Sequence, residues 1–525
     1  MTRKIVVPEW RNATAPCGGR QGCPAYTNIA GALHALAIGD VKQAWTIMMD
    51  SHPLRATLGR VCYGFCEKPC NRGEFDSPIS IQMLEAAIGD YGYDAGWRPA
   101  IAPANGKKVL ITGSGPCGLT AAWFLNLHGF HVEIFEAEDK PGGMLRHGIP
   151  AYRLDRATLD REIEFIRSCG VKVNLKQRLG VNEIEAMRSK SGGFDAAIVA
   201  AGAGLSRAAE FDGEDRAVKG LDFLKQVNTG KLRAGALKGK HIVVIGGGNV
   251  AMDASRSAMR LGPRSVTVLY RRTEAMMPAH AHEIRQAREE GVEFAFLEAP
   301  ASFHGATLKA QVMALGAVDA SGRQAPVPTR KTHDYHADLL ITAVGQKWDT
   351  WKFADTRRVV VAGDARHDSP GTVIHAIASG RRSANAIARN LTGRELFAPL
   401  GEEVTYGKMN VARYFTQAMR LRTYAERPEK RVQSFEPAER IASLEEAMIE
   451  AKRCFRCGTC LGGVDSTCDW CFRACKREEG IVKYMKPWDP TGPFYERGAG
   501  CDTCSRCWED CPRHVVTPHD REVEE

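Results

Sequence analysis

The sequence predicts an α/β protein with two parallel sheets at its centre and a cysteine-rich segment on either side. Two stretches, beginning near Lys108 and Lys238, repeat one order: an apolar strand, a glycine-rich turn, a helix and a second strand. Of the 17 cysteines, five lie between residues 17 and 70 and ten between 454 and 511. Continuous apolar strands are typical of buried parallel sheets. Bunched thiols in a long chain favour metal or cluster ligation over disulfides.

Length and charge exclude several classes of protein. The 525 residues are enough for about two to four domains. The net charge of +9 is modest, and no stripe of basic and aromatic residues indicates nucleic-acid binding. No apolar run approaches the length of a membrane span, and the N-terminus, MTRKIVVPEW, lacks an apolar signal core. We therefore expect a cytoplasmic protein that binds neither nucleic acid nor membrane.

The first glycine-rich turn has the pattern Gly113-x-Gly115-x-x-Gly118. Gly113 allows a tight turn, Gly115 lets the backbone approach a pyrophosphate, and Gly118 lets the helix pack closely on the sheet. The next strand ends on Glu136, whose carboxylate can accept hydrogen bonds from ribose hydroxyls. A lone G-x-G-x-x-G is weak evidence, but the strand, helix and acid around it predict a dinucleotide site.

Two later segments are expected at the same site. Gly143 lies in a turn just beyond the first unit. Gly363 and Asp364 follow the apolar strand 359–361, where an acid suits a hydroxyl-rich ligand such as a ribityl chain. The order of the segments predicts a flavin domain that is interrupted by a second nucleotide domain and then completed.

The second turn, with Gly246, Gly248 and Ala251, is a G-x-G-x-x-A variant. Here Arg271 and Arg272 occupy the position that Glu136 holds in the first site. An acid would repel a 2′-phosphate, whereas guanidinium groups bind phosphate with paired donors. The second site therefore predicts NADP(H) rather than NAD(H).

A thiol–disulfide flavoenzyme is a rival interpretation of this layout. It needs a pair of redox cysteines beside the flavin or in the nucleotide domain. The segment 236–335 contains no cysteine, and Cys117 has no near partner in the sequence. The rival is therefore weak.

The N-terminal cysteines form two groups, Cys17-x5-Cys23 and Cys62-x3-Cys66-x3-Cys70. Thiolates at such spacings can bind an iron–sulfur cluster or zinc. Five cysteines are too many for one four-coordinate centre and too few for two. Further ligands must therefore come from elsewhere in the chain.

The C-terminal cysteines end in Cys501-x2-Cys504-x2-Cys507-x3-Cys511-Pro512, which matches the bacterial ferredoxin signature. The predicted module holds two clusters, one on Cys460, Cys468, Cys471 and Cys511, and one on Cys475, Cys501, Cys504 and Cys507. The gap between Cys460 and Cys468 is longer than usual, so the first assignment is the weaker. Cys454 and Cys457 remain unassigned, while the N-terminal segment lacks ligands. A cluster bound by cysteines from both ends of the chain would account for both.

With these motifs, the chain resembles the glutamate synthase small-subunit family. The family includes the large subunit of NADH-dependent ferredoxin:NADP oxidoreductase and the N-terminal half of dihydropyrimidine dehydrogenase. The resemblance is most specific in GRVCYGFCEKPC, PGGMLRHGIPAYRL, GGGNVAMDASR, LYRRTEAMMPA and VVVAGDA. It implies FAD on Gly113, Gly115, Gly118, Glu136 and Asp364, with Gly143 and Gly363 beside them, and NADP(H) on Gly246, Gly248, Asn249, Arg271 and Arg272.

The resemblance also implies two N-terminal [4Fe–4S] clusters. Cys23, Cys62 and Cys66 match three ligands of one cluster, and Glu85 falls where dihydropyrimidine dehydrogenase has a side-chain amide. For the other cluster, the chain supplies Cys17 and Cys70 but lacks the upstream C-x2-C. The phrase EAKRCFRC, with Cys454 and Cys457, looks like that missing pair. The total is about four [4Fe–4S] clusters.

The predicted fold is α/β, with two Rossmann-like dinucleotide-binding domains between an N-terminal helical iron–sulfur domain and a C-terminal ferredoxin-like module. The NADP domain is inserted in the FAD domain. The predicted segments are an iron–sulfur domain at 1–105, an FAD domain at 106–235 and 336–395, an NADP(H) domain at 236–335, a linker or strap at 396–450 and the two-cluster module at 451–525.

These features predict an electron-transfer flavoprotein subunit, in which no side chain is required as an acid or base catalyst. We expect a hetero-oligomer with a catalytic partner, such as a 2-oxoacid:ferredoxin oxidoreductase or a glutamate synthase large subunit. The alternative is a free-standing NADPH:ferredoxin oxidoreductase, with or without electron bifurcation. From a different class, a non-enzymatic scaffold with zinc in the cysteine sites is also considered.

Overall fold

A computed structural model gives the structure of the chain. It describes residues 2–10, 13–319, 322–409, 411, 415–458, 471, 474–475, 481–483, 495–497, 501, 504–509 and 511–524. The predicted ligands Cys460 and Cys468 lie outside the described residues.

The α-helices of the described residues are numbered α1 to α15 in chain order. They span Ile29–Ala37, Val41–Met49, Arg55–Val61, Ile81–Asp94, Pro116–Leu127, Met144–His147, Arg156–Ser168, Val181–Ser189, Gly220–Asn228, Asn249–Met259, Ala281–Glu289, Val373–Thr392, Pro428–Arg431, Leu444–Lys452 and Arg506–Glu509.

The strands of the described residues are numbered β1 to β21. They span Thr2–Trp10, Lys108–Thr112, His131–Phe135, Lys172–Asn174, Ala196–Val199, Leu205–Ser206, Val218–Lys219, His241–Ile245, Ser265–Tyr270, Glu293–Phe296, Glu298–His304, Thr307–Val318, Gln324–His336, Leu339–Thr342, Gln346–Lys347, Val359–Val361, Tyr424–Ala425, Glu439–Arg440, Ile481–Lys483, Tyr495–Arg497 and Val516–Glu524.

The chain divides into two compact units. The first unit, here called the thiol unit, comprises Met1–Ala100, Gly393–Thr423 and Ile441–Glu525. The second, the nucleotide unit, comprises Ile101–Thr392 and Tyr424–Arg440. The predicted linker at 396–450 is therefore shared, since residues 424–440 pack with the nucleotide unit.

The first five-stranded sheet of the nucleotide unit has the order β16-β5-β2-β3-β4 and is parallel throughout. Its central strand β2 is buried from Val109 to Thr112, in agreement with the apolar run in the sequence. Helices α5 and α12 pack against each other, and Gly380 makes this possible: a Cβ there would lie 2.2 Å from the carbonyl oxygen of Cys117. The α/β class with parallel sheets is confirmed.

The second five-stranded sheet, β10-β9-β8-β14-β7, is also parallel. It corrects one predicted boundary. The strand Leu339–Thr342 was expected to return to the flavin domain, but it pairs with β8, with Leu339 opposite Ile242. An apolar run fits either sheet equally well, and its partner is decided by contacts far away in the sequence.

A three-stranded antiparallel sheet, β11-β12-β13, lies between β10 and β14 in the chain. No pattern in the sequence predicted this sheet. Most side chains of β13 are exposed or half-buried, so this strand lacks the apolar alternation that would have revealed it.

In the thiol unit, helices α3 and α4 touch backbone to backbone. A Cβ at Gly59 would lie 2.4 Å from the amide nitrogen of Ala86, and one at Gly89 would lie 2.5 Å from that of Ala56. Helix α14 packs on α1 and α4. Its Glu450 accepts hydrogen bonds from the backbone N–H of Ser80 (3.0 Å) and of Leu421 (3.0 Å).

A buried ionic network joins α10, α11 and the segment Tyr424–Arg440, here called the strap. Glu290 accepts hydrogen bonds from Arg256 (2.8 Å) and Arg260 (2.7 Å), and Arg431 of the strap lies 3.6 Å from it. The strap is also held where the N–H of Ala438 donates to the carbonyl of Tyr152 (2.9 Å). The strap is therefore packed into the nucleotide unit.

Candidate functional site

The first glycine-rich turn forms a cradle with an open centre. Gly113 has a φ of +88°, and a Cβ there would lie 2.4 Å from the carbonyl oxygen of Ala200. A Cβ at Gly118 would lie 2.0 Å from the carbonyl oxygen of Gly113. At Gly115, by contrast, nothing lies within 4 Å of a Cβ. The two outer glycines pack against backbone while the middle one leaves space, as a pyrophosphate at a helix N-terminus requires.

Glu136 lies beside this cradle at the end of β3 and is buried. Its Oε2 accepts hydrogen bonds from the backbone N–H of Ser114 (2.8 Å) and from the Ser114 hydroxyl (2.5 Å). Its Oε1 accepts one from the N–H of Glu138 (2.9 Å). These donors orient the carboxylate, which has lone pairs left for a ribose diol because two carboxylate oxygens offer about four acceptor positions.

Gly143 closes the cradle from the other side. It has a φ of +51°, and a Cβ there would lie 2.9 Å from the Cα of Gly115. The neighbouring N–H of Gly142 donates to the Ser114 hydroxyl (3.1 Å). The turn at Gly143 therefore lies directly against the first glycine-rich turn.

Gly363 and Asp364 follow β16 in the same sheet. A Cβ at Gly363 would lie 2.9 Å from the Cβ of Cys117. The Ser369 hydroxyl donates to the carboxylate of Asp364, and burial raises the pKa of this carboxylate. Because β2, β3 and β16 are parallel, the residues after them lie at one edge of the sheet, where doubly wound folds bind ligands.

The second cradle repeats the first. Gly246 has a φ of +142°, and a Cβ there would lie 2.3 Å from the carbonyl oxygen of Ala343. Gly248 has nothing within 4 Å of a Cβ, which leaves its backbone open. Asn249 accepts a hydrogen bond from the N–H of His280 (2.9 Å), so its side chain also fixes the loop before α11.

The two arginines after β9 differ in their surroundings. Arg272 is buried; it donates to Asp319 (2.5 Å) and to the carbonyl of Gln324 (2.8 Å), both near the turn between β12 and β13. Arg271 is exposed, with no hydrogen bond or ion pair to any residue in the described ranges. Arg271 therefore has a guanidinium available for a phosphate, whereas that of Arg272 already serves the fold.

Four thiols from both ends of the sequence come together in the thiol unit. They form what we call the joint thiol site: Cys17, Cys70, Cys454 and Cys457. Burial raises the pKa of Cys17 well above its usual value, and the other three thiols raise it further. Burial and Cys70 raise the pKa of Cys454 to about 11. Thiols crowded in this way are neutral when they stand alone and become thiolates when they bind metal.

The local structure explains why these thiols meet. Cys17 lies in a 3₁₀ turn, Pro16–Gly18, and Cys70 immediately precedes another, Asn71–Glu74. Helix α14, packed on α1 and α4, ends two residues before Cys454. The N–H of Ala13 donates to the carbonyl of Gly458 (2.8 Å), which ties the two segments together.

A second group, here called the carboxylate–thiol site, contains Cys23, Cys62, Cys66 and Glu85. Burial, with smaller contributions from Glu85 and Cys23, raises the pKa of Cys62 to about 12. Burial also raises the pKa of Cys66, and the charges of the neighbouring Cys23 and Cys62 raise it further. The close packing of α3 on α4 brings these residues together, because Cys62 directly follows α3 and Glu85 lies on α4.

Glu85 is held by two basic side chains. Its Oε1 accepts a hydrogen bond from Arg55 (2.5 Å) and lies 3.1 Å from Nε2 of His52. Burial raises the pKa of Glu85, but Arg55 and His52 outweigh it and the net pKa is lowered. Glu85 is thus an anion in a buried site.

In the C-terminal segment, three buried cysteines pack with Val515 and Val516, and a fourth lies beside them; these are Cys471, Cys507, Cys511 and Cys475. Cys507 also lies near Cys501 and Cys504: its pKa is raised to about 12, mainly by burial. The described part of the module thus brings the last cysteine run together with Cys471 and Cys475.

The arrangement of the thiols can be compared with what a zinc ion and what a [4Fe–4S] cluster require. Within the described ranges, no three His, Cys, Asp or Glu side chains are grouped so that they could hold a metal ion. The fifteen described cysteines are all free of disulfides. Tetrahedral zinc needs ligands that converge on one atom, whereas a [4Fe–4S] cluster spreads its four thiolates over different irons.

Three side chains at these sites were not predicted from the sequence: Arg55 and His52 contact Glu85, and Asn71 contacts Cys457. Asn71 donates from Nδ2 to the sulfur of Cys457 (3.4 Å). The only local signal is its position directly after Cys70 in CNRGE. That signal is weak, since the contact spans 386 positions in the sequence.

Two known families match the chain. Residues 107–380, which hold both cradles, match pyridine nucleotide-disulphide oxidoreductases. Residues 13–97, which hold the N-terminal cysteines and Glu85, match dihydropyrimidine dehydrogenase domain II, 4Fe-4S cluster. In the described residues, no helix is both long enough and apolar enough for a bilayer span.

Curated relatives cover much of the chain. The beta subunit of the NADP(+)-dependent formate dehydrogenase of Moorella thermoacetica is 35% identical over 506 residues, covering 85% of this chain and 70% of that protein. The beta subunit of the NADPH-Fe(3+) oxidoreductase of Geobacter sulfurreducens is 37% identical, covering 64% of this chain and 51% of that one. The glutamate synthase [NADPH] small chain of Azospirillum brasilense is 33% identical, covering 64% and 74%. This chain thus spans about half of the second relative and more of the other two.

Proposed function

Because the chain belongs to the pyridine nucleotide-disulphide oxidoreductase family, we propose that it is the electron-transfer subunit of a larger NADP(H)-linked enzyme. The chain is an FAD- and iron–sulfur-dependent oxidoreductase. In the proposed function it passes electrons between NADP(H) and a series of about four [4Fe–4S] clusters, and from there to a partner.

The observation that carries this proposal is the grouping of buried thiols in the thiol unit rather than in the nucleotide unit. Residues 107–380 contain only Cys117 and Cys169, and a dithiol reductase would need a reactive pair of cysteines there. The thiols instead gather at the joint thiol site and the carboxylate–thiol site. This arrangement supports electron transfer through clusters over disulfide reduction.

In the first cradle, the open backbone at Gly115 would hold the pyrophosphate of FAD, and Glu136 would accept from its ribose hydroxyls. Asp364 would take the ribityl hydroxyls. Bound FAD supplies the chemistry that the chain lacks, because a flavin exchanges electron pairs with nicotinamide and single electrons with clusters. The side chains here bind and orient, and none is required as a general acid or base.

In the second cradle, the backbone at Gly248 would hold the pyrophosphate of NADP(H). Arg271 would bind the 2′-phosphate with paired donors. Arg272 is assigned a supporting role, because its guanidinium is already bonded to Asp319 and Gln324. We propose that the exposed Arg271 produces the preference for NADP(H), while the buried Arg272 holds the adjacent turn between β12 and β13.

We propose cluster ligation by all four residues of the joint thiol site and by all four of the carboxylate–thiol site. The C-terminal module would hold two more clusters, on Cys460, Cys468, Cys471 and Cys511, and on Cys475, Cys501, Cys504 and Cys507. Each set offers four protein ligands, as a [4Fe–4S] cluster requires.

The proposed setting is a cytoplasmic hetero-oligomer with a catalytic subunit. The relatives from Moorella and Azospirillum are named as a subunit and a small chain of larger enzymes. The described chain is occupied by nucleotide cradles and thiol sites, so the organic substrate would be bound by the partner. A 2-oxoacid:ferredoxin oxidoreductase, a glutamate synthase large subunit and a formate-oxidising subunit are the candidates.

Anaerobic purification of the native protein, with iron, zinc and flavin assayed on the same fractions, tests the proposal. We expect about sixteen irons per flavin, at four irons for each proposed cluster, and negligible zinc. A catalytic subunit should co-elute. A lone chain that rapidly reduces ferredoxin would instead identify a free-standing oxidoreductase, and zinc in place of iron would contradict both.

A further inference from the structure

Asn71 is a buried residue at the joint thiol site, and the proposed function gives its side-chain amide no role. Its Nδ2 lies 3.4 Å from the sulfur of Cys457, 2.8 Å from the carbonyl oxygen of Val404 and 3.5 Å from the sulfur of Met409. All three partners belong to the thiol unit. The amide thus meets one predicted cluster ligand and two groups that are not ligands.

The orientation of this amide follows from its neighbours. The Val404 carbonyl can only accept a hydrogen bond, so the nitrogen rather than the oxygen of Asn71 must face it. That bond takes one of the two N–H hydrogens. The second is directed at the sulfurs of Cys457 and Met409, and the better acceptor of the two is the thiolate, because it is charged.

The carboxylate–thiol site offers a contrast. The Thr27 hydroxyl lies 3.4 Å from the sulfur of Cys23 and 2.7 Å from the Ser51 hydroxyl. Ser51 gives its own proton to the carbonyl of Met48 (3.1 Å). While Ser51 donates to Met48, the Thr27 hydroxyl donates to Ser51 and presents a lone pair rather than a donor to Cys23. Of these two side chains beside predicted ligands, only Asn71 donates to sulfur.

We propose that Asn71 raises the reduction potential of the iron–sulfur cluster at the joint thiol site by donating its second N–H to Cys457. A reduced cluster carries more negative charge on its sulfurs, so an N–H directed at one of them stabilises the reduced form, and hydrogen bonds to sulfur are among the factors that set cluster potentials. The inference rests on the proposed function, because it requires a cluster at this site.

The test uses the full chain, isolated anaerobically with its clusters and titrated with reductant while EPR signals are recorded. Asn71→Ala removes the donor, and Asn71→Asp removes it while keeping the shape of the side chain. We expect both variants to lower the midpoint potential of one cluster while the iron content stays that of the wild type. Thr27→Val is the matched control, and it should leave all midpoint potentials unchanged.

Cys457→Ser identifies the signal of the cluster concerned. If this variant leaves the iron content and every EPR signal unchanged, the joint thiol site holds no cluster and that part of the proposed function fails. If it alters one signal, but both Asn71 variants titrate like the wild type, only the present inference is overturned. The inference is also overturned if both Asn71 variants lose iron, because Asn71 would then be a structural tether between residues 71 and 404.

Discussion

At the scale of single residues, the second nucleotide site shows what a sequence pattern leaves undecided. Two adjacent arginines after a strand look equivalent in the sequence. The structure separates them, because Arg272 is buried against Asp319 while Arg271 is exposed. The alternation of side chains at a strand end makes such a division natural, but which arginine turns inward depends on the β12–β13 hairpin, which the sequence analysis missed.

Arg271→Ala should therefore reduce the use of NADPH without affecting the use of NADH. Hydrogen bonds to charged groups contribute about 1.5–3 kcal/mol, which corresponds to a loss of about tenfold or more in kcat/KM for NADPH. Steady-state kinetics of both nucleotides with an artificial electron acceptor measure this change.

Arg272→Ala serves as the control for that experiment. Because its guanidinium holds the hairpin, its removal should lower thermal stability and leave the ratio of NADPH to NADH activity unchanged. A switch in nucleotide preference caused by Arg272→Ala but not by Arg271→Ala would contradict the assignment.

At the scale of elements, the strap packs against the end of α11 although its composition is highly charged. The charged stretch AERPEKRVQSFEPAER predicts a linker or an exposed strap. Arg431 within it is nevertheless buried, next to Glu290 and bonded to Glu289 (2.7 Å). The sequence shows that this segment is charged. It does not show that Glu289 and Glu290, which pair with Arg431 and allow it to be buried, lie about 140 positions away.

Glu290→Gln should destabilise the nucleotide unit by about 3–5 kcal/mol, because removing one partner of a buried ionic network leaves uncompensated charge. Glu289→Gln is the matched control: this neighbouring carboxylate is 41% exposed, so its loss should cost about 1 kcal/mol or less. Chemical denaturation monitored by flavin fluorescence measures both. Equal losses for the two variants would refute the proposed role of the network.

The same network predicts a direction of pH dependence. Burial raises the pKa of Glu290, but Arg260 and Arg256 outweigh it, so the net pKa is lowered in the folded chain. Its contribution to stability is therefore complete above the unfolded value of about 4.3 and is lost as the pH falls through the lower folded value. Denaturation midpoints should fall in acid for the wild type, and less steeply for Glu290→Gln.

The link between the two ends of the chain is also a property of elements. Helix α14 delivers Cys454 to the N-terminal thiols, so Cys454→Ser should lower the iron content from about sixteen to about twelve per chain. Cys169→Ser is the matched control, since this buried thiol lies in the nucleotide unit after α7 and should not bind iron. An unchanged iron content in Cys454→Ser would argue against the joint thiol site.

At the scale of the whole molecule, local patterns predicted the α/β class and both cradles, because glycines at this spacing between a buried strand and a helix are specific to a dinucleotide-binding turn. They did not predict which sheet takes Leu339–Thr342, nor the pairing of β1 with β21, in which Thr2 lies opposite Glu524. Those pairings depend on register between distant segments, which no local window contains. For the same reason, the contact between Asn71 and the distant Cys457 could not be predicted from the sequence.

The central claim is that NADP(H) and the iron–sulfur clusters exchange electrons within this chain. Anaerobic addition of NADPH to the fully loaded protein, followed by visible and EPR spectroscopy, tests it most directly. We expect NADPH to bleach the visible spectrum and to produce the EPR signals of reduced clusters. A spectrum that NADPH leaves unchanged, but that dithionite bleaches, would contradict the claim.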